Sequence, residues 1–202
     1  MSVTVEFHFD FGSPNAYYSH RVIPGIEDRT GATFTYVPIL LGGVFKLTNN
    51  KAPMVMFQDV ENKLAYRRRE TERFIAKHGL TRFQMNPNFP VNTVQLMRGA
   101  IAAEADGFLP EYVEAMFHYM WEEPKKMDEP EVFEAAMNGA GLVGGRMMQR
   151  IQDQAVKDKL FANTEASVAR GTFGSPTFFV GDEMFFGKDK LRDVEEEILA
   201  AG

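Results

Sequence analysis

Gly12-Ser13-Pro14 brings a hydroxyl to the start of a helix, where backbone N–H groups have no intrahelical partner. Such a place can hold an anion, because the hydroxyl and the free N–H groups point the same way and the helix dipole favours negative charge. A serine before a proline is also what an ordinary helix cap looks like, and that role alone contributes about 1 kcal/mol. Far downstream, Gly174-Ser175-Pro176 leads into Thr177-Phe178-Phe179-Val180, so a proline stands at the mouth of a strand. The chain has no cysteine. Disulfides, thiolate metal sites and redox chemistry by its own thiols are therefore excluded. Any sulfur that reacts beside Ser13 must arrive with a ligand.

Four other groups of residues are candidates for binding. Gly187-Lys188-Asp189 follows a hairpin at the start of the last helix, where an aspartate is favourable even without a ligand. Asn49-Asn50-Lys51, with Lys46 just before, is a polar loop whose plain reading is a solvated turn. Phe89 and Asn92 precede a helix; Asn92 reads as its cap, and Phe89 as core or as a pocket wall. Tyr119 and Trp121 are further aromatic candidates for that wall. Arg67-Arg68-Arg69 reads as a solvated helix face. The four histidines (His8, His20, His78, His118) are scattered, and no spacing of histidine or carboxylate argues for a metal.

The elements that must place these residues follow from periodicity. Residues 3–9 alternate apolar and polar, as a strand does. Ser13-Pro14 opens a helix with Tyr18, Val22 and Ile26 on one face, and Pro24 predicts a bend or break in it. Gly31 ends it, and Phe34-Thr35-Tyr36-Val37 is a second strand, parallel to the first. From about 41 to 165 the pattern is helical. One helix spans about 57–78, one begins at Asn92 and stops at Gly107, and one carries the stripe Tyr112, Val113, Met116, Phe117 and Met120. Another is capped by Asp128, and a long one covers 154–170. Strands return at Thr177–Val180 and Glu183–Phe186 around Gly181-Asp182, a two-residue turn with glycine first. A helix over about 188–200 closes the chain.

At 202 residues, 45% hydrophobic and 25% charged, the composition is that of an ordinary soluble domain. A net charge of −6 gives no electrostatic case for nucleic acid, and no apolar run is long enough to span a membrane. Met1-Ser2-Val3-Thr4 lacks the basic and apolar regions of a signal peptide, so a cytoplasmic protein is expected.

The chain resembles the 2-hydroxychromene-2-carboxylate isomerases and their relatives, the kappa-class glutathione transferases, in the DsbA-like branch of the thioredoxin superfamily. The resemblance runs nearly end to end. It rests on Asp10-Phe11-Gly12-Ser13-Pro14, Asn49-Asn50-Lys51-Ala52-Pro53, Phe89-Pro90-Val91-Asn92-Thr93, Gly171-Thr172-Phe173-Gly174-Ser175-Pro176-Thr177-Phe178 and Met184-Phe185-Phe186-Gly187-Lys188-Asp189-Lys190-Leu191. It implies an α/β fold, a thioredoxin-like (DsbA-like) sheet with a large helical insertion. Residues 1–40 and 166–202 would form the thioredoxin-like domain and 41–165 the inserted helical domain. Ser13 stands where a redox relative carries cysteine.

In this family the position of Ser13 is credited with activating glutathione. Pro176 would be cis, leaving the main chain of Ser175 free to pair with the tripeptide. The segment Phe186-Gly187-Lys188-Asp189 would hold its γ-glutamyl end, with Asp189 facing the ammonium and Lys188 contributing backbone. The loop of Asn50 and Lys51 would lie over glutathione or substrate, Lys46 would pair with a substrate carboxylate, and Phe89 would meet the aromatic substrate. A free thiol titrates near 8.5, and a fall of two units needs roughly 2.7 kcal/mol of preference for the anion, which a helix terminus plus one hydroxyl can supply. The implied protein is a homodimeric, glutathione-dependent isomerase giving trans-o-hydroxybenzylidenepyruvate by reversible thiolate addition. A kappa-like transferase would use the same site but release a conjugate. A non-catalytic glutathione- or peptide-binding module is the third possibility, and a thiol-disulfide oxidoreductase is nearly excluded by the lack of cysteine.

Overall fold

The computed structural model describes residues 2–202. Strand β1 (Thr4–Phe9) is followed by helix α1 (Pro14–Thr30) and strand β2 (Thr33–Pro38). Strands β3 (Thr177–Val180) and β4 (Glu183–Phe186) come near the end of the chain, before a 3-10 turn (Lys188–Lys190) and the last helix. The sheet order is β2-β1-β3-β4. β1 runs parallel to β2 with Phe7 beside Tyr36, and antiparallel to β3 with Phe7 beside Phe178. The C-terminal end of β1 and the N-terminal end of β3 thus lie side by side at one end of the sheet.

β1 is central and covered on both faces. Val5, Phe7 and Phe9 are completely buried, and Phe7 stacks on Phe178 with ring centroids 5.3 Å apart. His8 turns to the opposite face, where Nδ1 lies 2.7 Å from Ser167 Oγ. The β3–β4 turn has its positive φ at Gly181, the residue that carries no Cβ penalty there.

Between β2 and β3 the described chain is helical: α2 (Leu41–Thr48), α3 (Pro53–Met56), α4 (Glu61–His78), α5 (Val94–Asp106), α6 (Leu109–Trp121), α7 (Pro130–Gly139), α8 (Gly144–Arg150) and α9 (Gln154–Ala169); α10 (Leu191–Ala201) ends the fold. This is the expected sheet with a large helical insertion. The α6 stripe of Tyr112, Val113, Met116, Phe117 and Met120 is buried, as core. α6 also ties the insertion to α1. Glu122, buried at its end, accepts from Tyr17 Oη (2.9 Å), Arg21 Nη2 (2.7 Å) and His118 Nδ1 (3.0 Å), and pairs with Arg82 (2.6 Å). Burial and the Glu122 carboxylate push the Tyr17 hydroxyl up to about 12, so it stays a donor.

Several expected boundaries are corrected. α1 runs unbroken through Pro24. Pro24 is exposed while Ile23 and Ile26 are buried, so packing holds the helix where proline removes one bond on its solvent side. α4 starts at Glu61, four residues later than the pattern implied. Thr93, not Asn92, occupies the cap position of α5, although Asn92 Oδ1 still accepts from Val94 N at 3.0 Å. Asp128 does not cap α7: Glu129 holds that position, and Asp128 Oδ1 is buried without a partner. Trp121 is fully buried, and its indole N–H donates to Phe11 O at 2.8 Å.

α5 packs on α6 at Gly99, where an added Cβ would lie 2.0 Å from Tyr112 Oη and 2.6 Å from its Cζ. The Tyr112 hydroxyl is already anchored to Leu96 O at 2.8 Å. Gly99→Ala should therefore cost about 3 kcal/mol, the upper range for overpacking a dense core. Urea unfolding measures it, and a loss under about 0.5 kcal/mol would show that the two helices can part freely.

Candidate functional site

Ser13 caps α1 with extended backbone (φ −96°, ψ 113°), and Pro14 fills the first helical position. Its hydroxyl accepts from Ala16 N at 3.3 Å and donates to Ser175 O at 2.8 Å. Ser13 O takes the N–H groups of Ala16 (3.0 Å) and Tyr17 (3.2 Å). Pro14 has no N–H. Among the described residues this leaves the Asn15 N–H as the first-turn donor without an acceptor. An anion placed there meets that N–H, the positive end of the helix dipole, and a hydroxyl one rotation away.

The expected cis peptide is present at Ser175–Pro176. Ser175 is 7% exposed, and its N–H meets no acceptor among the described residues. Its carbonyl holds one hydrogen bond, from Ser13, and keeps a second lone pair. Such a free N–H and C=O pair is what a short extended peptide binds. Pro176 O accepts from Gly187 N at 3.0 Å, which sets Gly187-Lys188-Asp189 beside the cis peptide.

The structure brings most of the predicted residues together. Asn50 Nδ2 donates to Phe173 O at 2.8 Å, so the loop after α2 is fastened to the segment before Ser175. Phe186 is 40% exposed and lies against Phe173, with centroids 4.4 Å apart. Lys46 and Lys51 are exposed near this loop. The Lys188 side chain is buried, with its ammonium 4.9 Å over the Phe74 ring and paired with Asp189. Asp189 is exposed and lines a groove of about 560 Å³ with Tyr66, Arg73, Phe74 and Lys188. Phe89 sits apart from these contacts: partly buried, it precedes a second cis peptide and packs 6.0 Å from Trp121. Tyr119 lines a separate cleft with Lys125 and Val132.

Sequence reasoning missed the roles of Asp10, Asn15, Thr93 and Phe173. Asp10 is wholly buried, and Oδ1 accepts from Gly12 N at 2.8 Å while Oδ2 accepts from Leu41 N at 2.7 Å. Burial pushes its carboxyl up, against the pull of those two amides and of the Thr93 side chain. The available signal was Asp-Phe-Gly, since an aspartate commonly bonds the backbone two residues on. No cluster of three histidine or carboxylate side chains could hold a metal, and no helix is long and apolar enough to cross a membrane, among the described residues.

This architecture has known counterparts. The family model for the DSBA-like thioredoxin domain matches residues 4–199. A 2-hydroxychromene-2-carboxylate isomerase of Sphingobium xenophagum is 26% identical over 98% of this chain and 100% of its own length. A solved structure of a 2-hydroxychromene-2-carboxylate isomerase superposes with a TM-score of 0.83 at 25% identity, covering 98% of this chain and 95% of that one. Glutathione S-transferase kappa 1 of Homo sapiens is 23% identical over 93% of this chain and 87% of its own.

The loop before the cis peptide depends on a missing side chain. A Cβ on Gly174 would lie 2.6 Å from Cε2 of Phe186. Gly174→Ala should lower stability by about 1–2 kcal/mol by driving that ring off Phe173. In a Phe186→Ala background the same substitution should cost almost nothing, and a double-mutant cycle by thermal unfolding checks the pairing.

Proposed function

The chain belongs to the DSBA-like thioredoxin domain family, and from that premise we propose that it is a glutathione-dependent isomerase of 2-hydroxychromene-2-carboxylate or a close aromatic analogue. The observation that carries this reading is the 2.8 Å contact between Ser13 Oγ and Ser175 O, at a helix N-terminus and on the carbonyl side of a cis proline. Cysteine is absent there, so the site offers an anion cradle and a peptide-pairing edge but no sulfur. Its similarity to isomerases and to a kappa-class transferase supports glutathione as the missing part.

Bound glutathione supplies the thiolate that adds to an unsaturated carbon of the substrate, allows rotation about the former double bond, and leaves again unchanged. The residues of this chain do the rest. Ser175 N–H and C=O orient the cysteinyl backbone. The Asn15 N–H and the Ser13 hydroxyl hold the anion once that hydroxyl turns from Ser175 O. Asp189 accepts from the γ-glutamyl ammonium, and Gly187 and Lys188 present main chain beside it. Asn50 and Lys51 cover the ligand, and Lys46 pairs with the substrate carboxylate. In a chain of net charge −6, exposed lysines at this loop supply the local attraction two anionic ligands need. The same reading makes the protein a homodimer that works in the cytoplasm, where thiols stay reduced.

A kappa-like transferase is the second reading, favoured by the similarity to the human protein. Product analysis separates the two, because an isomerase leaves total free glutathione unchanged and a transferase consumes it.

Ser13→Ala should cost about 1 kcal/mol of stability as a lost cap while lowering turnover on the order of a hundredfold. Full activity with a small fall in Tm would reduce Ser13 to a cap. Asp189→Ala should weaken glutathione binding about tenfold or more, the size of a lost charge-assisted hydrogen bond, with little change in substrate KM. Calorimetry and steady-state kinetics read the two effects, and equal losses would count against the role.

A further inference from the structure

Asp10 is a wholly buried carboxylate that no cation pairs with among the described residues. A buried charge without a counter-ion is costly unless its oxygens are well satisfied. Here each oxygen accepts a backbone N–H, from two segments: Gly12 N belongs to the serine turn and Leu41 N is the first N–H of α2, while the Thr93 side chain, just before α5, favours the charged form. Leu40, at the cap position of α2, makes no side-chain cap, so Asp10 caps that helix from another part of the chain. The negative charge also faces the positive end of the α2 dipole.

The main chain of Asp10 reaches a fourth segment, because its N–H donates to Ser175 Oγ at 3.1 Å. From there a closed hydrogen-bonded ring can be followed. Asp10 holds the N-terminus of α2, and Asn50, just past its C-terminus, holds Phe173 O. Ser175 then bonds back to both Asp10 and Ser13. Gly12 sits tightly inside the ring, since a Cβ there would be 3.1 Å from Thr93 Cγ2 and 3.2 Å from Asp10 Oδ1.

We propose that Asp10 is the positioning residue of the site: its carboxylate sets the serine turn, the cis-proline loop and α2 with its Asn50 loop in one register, without touching glutathione or substrate itself. The consequence for thiol activation rests on the glutathione reading above; the ring does not.

Asp10→Asn tests it, because the amide keeps one acceptor oxygen and turns an NH₂ toward a backbone N–H. Amide exchange of the variant should quicken about tenfold or more at Gly12, Leu41 and Lys51, local openings the ring would otherwise suppress. Loss of the carboxylate's charge would by itself lower the thiol of bound glutathione, and only loss of the register raises it; the proposal makes the register the larger effect, so the thiol, followed by its ultraviolet thiolate absorbance, should titrate about one unit higher, with kcat at neutral pH falling about tenfold and recovering as pH rises. Thr93→Val removes the hydroxyl that favours the charged form and keeps the carboxylate; it should shift both readouts the same way by a smaller amount, and it decides the matter if Asp10→Asn does not fold. Gly144→Ala serves as the control: its Cβ would lie 2.6 Å from Glu134 O, between α7 and α8, so it destabilises elsewhere and should leave the thiol titration in place. Exchange unchanged at Leu41 and Lys51 would overturn the proposal. So would a thiol that titrates unchanged or lower in glutathione-bound Asp10→Asn, since the carboxylate would then be irrelevant to the anion or opposed to it. If the wild-type protein binds no glutathione, that reading fails by itself, and the exchange data alone uphold or overturn the ring.

Discussion

One hydrogen bond joins residues 162 apart in sequence: Ser13 Oγ to Ser175 O. It closes the end of the sheet where β1 ends and β3 begins, and it joins the start of α1 to the cis-proline loop. The antiparallel pairing of Phe7 with Phe178 makes this meeting possible, because it sets β1 and β3 in a register that brings their site ends together. A slip of one residue would turn every side chain of β3 to the other face and carry Ser175 away from Ser13. The stacked, fully buried rings of Phe7 and Phe178 penalise that slip heavily. The site is therefore held by the register of the sheet, and the sheet by its aromatic core.

The helical insertion adds to this frame rather than merely sitting on it. Trp121 donates to Phe11 O, and Glu122 gathers Tyr17 and Arg21 from α1. The last residue of α6 and the one after it thus fix the chain on both sides of Ser13. Glu122 is tolerable as a buried carboxylate because its two oxygens meet a tyrosine hydroxyl, two guanidinium groups and a histidine. α4 contrasts with α6. It buries none of its residues and forms one wall of the groove that Asp189 lines, so it is the element freest to move when something enters there.

What the sequence made legible follows from the range of each signal. The strand alternation of β1, the α6 stripe and the Gly181 turn are local patterns, and each was readable. The cis proline came through family resemblance, because nothing local distinguishes Ser175–Pro176 from an ordinary strand-opening proline. Pro24 misled because its cost is set by which face of the helix it occupies. Asp128 misled because a capping residue type one position from the actual start looks the same in sequence. Asp10 was invisible as an organiser, since its partner Leu41 lies 31 residues on and contributes only a backbone N–H, which any residue type but proline would supply.

The division of backbone donors between two anions gives the site its logic. A carboxylate at Asp10 and a thiolate at Ser13 repel each other, and more strongly in a buried place than in water. They can coexist only if each has its own donors. Asp10 draws on the N-terminus of α2 and on Gly12, before α1 begins. That leaves the Asn15 N–H and the α1 dipole uncommitted. Between the two sets, Ser13 N is spent on Asp10 O at 3.0 Å and Pro14 has no N–H, so no uncommitted donor stands there. The N-termini of α2 and α1 thus let a buried carboxyl group organise a site built for a transient anion.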